Sequence, residues 1–178
     1  MTNILNSADL VVRRLGGTNR YIALRLASRI FSSYDYYWFK YWLPRSSVLV
    51  AEVNGEAVGF VEFTIRRTIC GRTGIMMYVG VLPEYRGQGI GKILILSAEE
   101  LLLRRGISTY MASTRSWNDH SIRLFKSLGY EIITVHDLYE KLGFYRAYEL
   151  IASLHAYEDD IIMFKSISRD KCVLYRIL

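Results

Sequence analysis

Apolar positions along the chain change period several times, and each change marks an element. LVVRRL, Leu10 to Leu15, reads as a short strand ended by Gly16-Gly17. Thr18 is the expected N-cap of a helix reaching Phe31, with Ile22, Leu26 and Ile30 at helical spacing. SSYDYYWFKYWLP follows, dense in aromatic side chains and stopped by Pro44. VLVAEV and AVGFVEFTI flank Asn54-Gly55, which suits the positive φ angles of a tight turn, so a hairpin is expected. GIMMYVGV is a third strand and runs straight into the loop PEYRGQGIGK.

Beyond the loop, Ile90, Ile93, Leu94, Ala98, Leu101 and Leu102 share one helical face, and Gly106 closes the helix. Ile95, Leu96 and Leu103 widen the apolar surface, so this helix should be well buried. STYMAST is the next strand, and a helix from about Asn118 to Leu128 ends at Gly129. YEIITV and DIIMFKSI are two further strands. The link between them, residues 135–158, contains the helical-looking DLYEKLGFYRAYELIASL, and a link of that length tends to be functional. Strands followed by strand–helix–strand–helix–strand place the chain in the α/β class, with a mixed sheet that is mostly antiparallel at its start.

Composition narrows the picture only a little. With 178 residues, 51% hydrophobic and 22% charged, the chain suits one globular domain spanning 1–178. MTNILNSADL has no basic n-region and no apolar h-region, and no apolar run approaches a membrane span, so no membrane association is expected. Cys70 and Cys172 lie in no metal or redox spacing, which makes a reducing cytoplasm the default. His120, His136 and His155 are joined by no cysteine or second histidine, so no metal is predicted. The net charge is +6, from 17 arginines and six lysines against 17 acids. The arginines are scattered, which fits a solvated basic surface better than a nucleic-acid patch.

Three glycines at alternate positions, Gly87, Gly89 and Gly91, suggest a phosphate cradle. A P-loop would need glycine at Arg86 and a hydroxyl at Ile93, and has neither. A dinucleotide fingerprint needs G-x-G-x-x-G, whereas position 92 is lysine. What remains is a strand, a loop opening with Arg86, and a helix N-terminus. Glycines let N–H groups converge on an anion with no Cβ in the way. The unpaired first N–H groups of the helix and its dipole favour a diphosphate there.

VLPEYRGQGIGK, Val81 to Lys92, resembles the acetyl-CoA signature [QR]-x-x-G-x-[GA] of the GNAT N-acetyltransferase superfamily. NDHSIRLFKSLGY, Asn118 to Tyr130, resembles that family's second motif, N-x-x-A-x-x-L-Y-x-x-x-G-F. The segment between them holds a helix and a strand, as the family requires, and the element order matches over roughly Leu10 to Ile167. The resemblance implies a strand, two helices, three antiparallel strands, helix, strand, helix and two strands, with an extended, partly helical link before the last strand. It also implies acetyl-CoA as cofactor. Its diphosphate would lie on the backbone of Gly87, Gln88, Gly89, Ile90, Gly91 and Lys92 near Arg86. Its pantetheine arm would pair with the strand at Val79 to Val81, beside Asn118, Ser121 and Phe125. Asn118 equally suits an N-cap.

Two departures matter for chemistry. The family's second motif usually carries a tyrosine that protonates the leaving thiolate, and Phe125 has no proton to give. Many members carry a glutamate on the strand before the loop, where this chain offers only Tyr78. Glu62, on the neighbouring strand, is the nearest carboxylate to argue for, and a solvent-facing glutamate reads equally well there. A peptide α-amine ionises near pH 7.8 and a lysine near 10.4, so freeing the lysine costs about 3.5 kcal/mol more at neutral pH. A site poor in carboxylates therefore leans toward a protein N-terminus.

GYEIITVHDLYE resembles the corresponding strand and loop of N-terminal acetyltransferases, where two tyrosines grip the substrate. Tyr139 matches the first tyrosine, and Glu140 stands at the second. The resemblance places Tyr36 and Tyr37 of the aromatic cluster across that groove. Direct transfer to a protein, peptide or small-molecule amine is the expected reaction, by a monomer or homodimer. A non-catalytic acyl-CoA-binding module is the alternative.

Overall fold

The computed structural model describes residues 10–168 and 172–178. In chain order the elements are β1 (Leu10–Arg14), α1 (Tyr21–Ile30), α2 (Ser33–Trp42), β2 (Ser47–Val53), β3 (Glu56–Thr68), β4 (Gly71–Val81) and α3 (Ile90–Leu103). Then come β5 (Thr109–Thr114), α4 (Asp119–Ser127), β6 (Glu131–Thr134), α5 (Val135–Leu142), α6 (Phe144–Leu154) and β7 (Ile161–Ser166). The strand order is β1-β2-β3-β4-β5-β7-β6. β4 and β5 run parallel, while β1–β2, β2–β3, β5–β7 and β6–β7 are antiparallel. This is the mixed α/β arrangement expected. The chain forms two compact units, one from Met1–Thr64 and Met76–Glu100, the other from Ile65–Ile75 and Leu101–Leu178.

In the first unit, Leu15, Leu26, Phe39, Val50, Phe60 and Leu82 are part of one buried cluster. α1 starts later than the Thr18 cap implied: a 3₁₀ turn over Gly17–Asn19 comes first, and no side chain caps the helix. α2 is capped by Ser32, whose hydroxyl accepts from the Asp35 N–H at 3.2 Å. The β2–β3 turn uses Asn54 at φ 52° and Gly55 at φ 81°, as a two-residue hairpin requires. Residues 58–63 of β3 are all buried, so this strand is covered on both faces. On one face Phe60 meets Phe31 and Phe39, with ring centroids 5.7 and 4.9 Å apart. On the other, Gly59 lies against Val81 and Leu94.

In the second unit, β7 stands between β5 and β6, and α6 packs on β5. The long link is two helices rather than an extended segment. Thr134 caps α5, accepting from the Asp137 N–H at 3.0 Å. Gly143, at φ 75°, breaks the run before α6, which buries Ala147, Leu150, Ile151 and Leu154. Cys70, in the β3–β4 reversal, and Cys172 form a disulfide across 102 positions. Spacing left the pairing of these two cysteines open, because it sees neighbours in sequence and not in space. No helix among the described residues is long and apolar enough to cross a membrane.

Candidate active site

The glycine loop forms as its sequence demands. Pro83 starts a 3₁₀ turn over Pro83–Tyr85, and Gly87 and Gly89 take φ of 75° and 78°, where a side chain is strained. No atom comes within 4 Å of where a Cβ would stand on either glycine, so the backbone there faces open space. The ladder of α3 begins with the Ile93 N–H donating to Gly89 O at 3.1 Å. The N–H groups of Ile90, Gly91 and Lys92 precede that bond and lie outside the helix's own hydrogen bonding. An open glycine cradle ahead of a positive helix end suits the CoA diphosphate. Arg86 has a job the motif did not reveal: its Nε donates to Val81 O at 3.1 Å, fastening the loop to the end of β4.

Replacing Gly89 by valine puts a β-branched side chain at positive φ and a Cβ in the cradle. CoA affinity should fall at least about 100-fold by calorimetry, near 2.7 kcal/mol. Wild-type affinity in that variant would remove the loop from the site.

β4 continues beyond its parallel ladder with β5, which pairs Gly74 with Tyr110 and Ile75 with Met111. Val79 and Val81 are half-buried on its later stretch. Gly80 is closely packed there: a Cβ would stand 3.1 Å from the Phe60 ring and 3.2 Å from Ile30, so these side chains would have to shift to admit one. Tyr78 is half-buried, its ring 5.5 Å from Phe31 and 5.9 Å from Phe39.

Glu62 is neither solvent-facing nor within reach of an amine, for it has no exposed surface. Ser46 Oγ donates to its Oε1 at 2.5 Å, and Oε2 is a buried oxygen without a partner. Arg20 holds the same corner, donating to the Leu43 and Ser46 carbonyls. Burial pushes the Glu62 pKa up to about 8, while Ser46 and Arg20 pull the other way. Ser46 Oγ is also 3.2 Å from Leu43 O. One hydroxyl proton cannot serve both acceptors at once.

Asn118 caps α4. Its Oδ1 accepts from the Ser121 N–H at 3.3 Å, and its Nδ2 donates to Thr114 Oγ1 at 3.0 Å. Phe125 is buried edge-on against Tyr130, 4.9 Å between centroids, and packs as a core side chain. Tyr36 is half-buried on the first unit's core, whereas Tyr37 is 61% exposed beside Trp38. Tyr139 lies on α5, stacked at 5.8 Å on the exposed Phe144.

The sequence patterns missed a polar cluster at the carboxyl end of β5. Ser113 Oγ donates to Asp159 Oδ2 at 2.5 Å. Arg115 pairs with Glu158, and the Ser116 N–H donates to Asp160 Oδ1 at 2.5 Å. Burial raises the Asp159 pKa, as do the neighbouring Asp160 and Glu158 charges; Ser113 and Arg115 lower it. The only signal in the sequence is the run EDD before the last strand, which says nothing of Ser113.

The family model described as "Acetyltransferase (GNAT) family" matches residues 21–130. The chain belongs to the GNAT acetyltransferase family, whose enzymes use acetyl-CoA. Three solved structures share the fold. Arabidopsis thaliana Naa50 in complex with the bisubstrate analogue CoA-Ac-MVNAL is 17% identical, with a TM-score of 0.63 over 89% of this chain and 99% of that one. The ribosomal-protein-S18-alanine N-acetyltransferase of Escherichia coli is 20% identical, with a TM-score of 0.62 over 89% and 94%. An aminoglycoside N-acetyltransferase in complex with CoA is 20% identical, with a TM-score of 0.61 over 68% and 88%.

Proposed function

We propose that this acetyltransferase acts on the α-amine of a protein or peptide N-terminus, by direct attack of the amine on the thioester in a ternary complex. The observation that carries this reading is that the strand leading into the cofactor loop, Gly74–Val81, bears no carboxylate that could deprotonate a strongly basic amine. Glu62, on the neighbouring strand β3, is sealed in the interior. An α-amine is partly neutral at physiological pH, whereas a lysine needs about 3.5 kcal/mol more. Two of the structures sharing the fold, by name, act on protein N-termini or hold a peptide bisubstrate analogue. Tyr36, Tyr37 and Tyr139 are the aromatic side chains we assign to the acceptor, since aromatic rings give contact area at low entropic cost.

Acetyl-CoA, held by residues 86–92, supplies an activated acetyl group on a thiol that leaves readily. A thiol ionises near pH 8.5, so the reaction does not depend on a strong acid, and Phe125 at the family's tyrosine position is tolerable. We assign to Asn118 and Ser121 the positioning of the strand–helix junction beside the pantetheine arm, with Val79 and Val81 offering backbone to it. Tyr78 is the titratable side chain of the stretch Gly74–Val81, and we assign it to the reacting end of that strand. We assign the enzyme to the cytoplasm, where acetyl-CoA is the expected donor and where the Cys70–Cys172 disulfide fits an organism whose intracellular proteins are disulfide-rich.

A small-molecule amine is the second reading, favoured by the shared fold of the aminoglycoside enzyme. Competition decides between them. Purified protein with acetyl-CoA is offered free N-terminal peptides, N-blocked lysine peptides and small polyamines, and products are located by mass spectrometry. Peptide α-amines should react with kcat/KM at least about tenfold above the others. Faster reaction of lysine side chains or polyamines would reject the α-amine assignment.

A further inference from the structure

The arginines are spread along the sequence, but folding gathers several of them at one corner of the second unit. β3 ends at Thr68 and β4 starts at Gly71, so Ile69 and Cys70 alone join them. Positions equally far from a two-residue turn face each other across the hairpin, which sets Arg67 opposite Arg72. On the other face of the hairpin the Thr68 and Thr73 hydroxyls are hydrogen-bonded at 2.9 Å.

α3 lies over the face that carries Arg72. A Cβ on Gly74 would stand 2.5 Å from Leu102, and side chains two apart on a strand share a face. The helix ends one residue beyond that contact, at Leu103. The N–H groups of Arg105 and Ile107 both donate to Leu102 O, at 2.9 and 3.1 Å, and Gly106 at φ 74° turns the chain away. Arg67, Arg72, Arg104 and Arg105 are all exposed around this junction. The Cys70–Cys172 bond ties the segment bearing a fifth exposed arginine, Arg176, to the tip of the hairpin.

Local stability accounts for only part of this arrangement. Cations beside the last carbonyls of α3 are favourable, which suits Arg104 and Arg105. Arg67 opposite Arg72 is the reverse, because like charges directly across a hairpin destabilise it. Residues 65–75, 101–109 and 172–178 contain no acidic side chain. A field of one sign concentrates counterions, and a polyanion that displaces them gains from their release. The planar fork of arginine also matches two oxygens of one phosphate. The aromatic side chain of these segments, Tyr175, packs on Phe164, so no exposed ring offers to stack on a base or to anchor a protein partner. On the hairpin and the end of α3, Leu103 is the exposed large apolar side chain, which gives little to insert into a bilayer.

We propose that this corner binds the phosphate backbone of a nucleic-acid duplex, through Arg67, Arg72, Arg104 and Arg105 and without reading base sequence. It uses none of the cofactor-loop residues 86–92, and it does not depend on which amine is acetylated.

The test measures binding of the full chain to short labelled RNA and DNA duplexes of mixed sequence, by fluorescence anisotropy across a salt series. Either duplex should bind with Kd below about 10⁻⁴ M at about 50 mM salt. Four phosphate contacts give a log–log salt slope of about −3.6, a loss of about 10²-fold between about 50 and 200 mM. Arg67→Gln with Arg72→Gln should weaken binding at least about tenfold at the low salt and halve that slope. Arg104→Gln with Arg105→Gln should do the same from the other segment. Arg14→Gln with Arg25→Gln removes the same charge from exposed positions of the first unit and should keep the wild-type slope. Acetylation of the best amine should stay within about twofold of wild type in both corner variants.

The proposal is overturned if neither duplex binds at low salt, if both corner variants keep the wild-type slope, or if the Arg14/Arg25 variant loses as much as they do. Tighter binding of anionic vesicles or of polyglutamate than of either duplex overturns it in favour of a lipid surface or an acidic protein. A parallel loss of acetylation in the corner variants would overturn the separation of this corner from the cofactor site.

Discussion

A chain carrying Cys70→Ser with Cys172→Ser is expected to melt roughly 10 °C or more below the oxidised wild type. The disulfide closes a loop across 102 positions. The chain-entropy account of such a loop gives about 4.7 kcal/mol of stabilisation, and for a chain of this length each kcal/mol moves the melting temperature by about 2–4 °C. The bond also fixes the segment that follows it. Leu174 is fully buried there, the Tyr175 ring lies 5.2 Å from Phe164, and the Tyr175 hydroxyl accepts from the Ser166 N–H at 2.9 Å. Residues 172–178 should therefore lose hydrogen-exchange protection first when the bond is reduced. Equal melting of the reduced and oxidised proteins would show that packing alone holds this segment.

Glu62→Gln should flatten the dependence of stability on pH. The native carboxyl titrates near pH 8 and the unfolded one near 4.5, so between these values the unfolded chain binds fewer protons. Stability from this group is complete below the unfolded value, falls by about 1.4 kcal/mol per pH unit above it, and is lost as pH passes the folded value. The accumulated loss is on the order of 4–5 kcal/mol by pH 8. Glutamine keeps an oxygen to accept from Ser46 and carries no charge to desolvate. The variant should match the wild type near pH 5 and exceed it progressively toward pH 8 in denaturant titrations. A wild type and variant with parallel curves over that window would mean that Glu62 is ionised in the folded chain.

Glu62 also marks where reading by strand period fails. Alternation assigns one face of a strand to solvent, but α1 and α2 cover one face of β3 while the start of α3 covers the other. Phe60 and Glu62 therefore share the same interior, and a polar position in the pattern becomes a buried acid. The long link shows the converse. Its helical periodicity was readable, and Gly143 was the visible break, because both are local properties of the backbone.

What the sequence by itself determined is the cofactor loop, the strand and helix flanking it, and the second motif. Binding a diphosphate with backbone N–H groups demands glycines at set positions before a helix, and that demand is written into neighbouring residues. Only the tertiary structure decided the rest. The Ser46–Glu62, Ser113–Asp159 and Cys70–Cys172 contacts join residues 16, 46 and 102 positions apart. No spacing rule connects such partners, since what brings them together is the register of β2 on β3, the chain's return to β5 through β7, and the path of the chain after β7. The desolvation that sets the proton affinity of Glu62 and Asp159 arises from the same packing, and it exists only once the chain has folded.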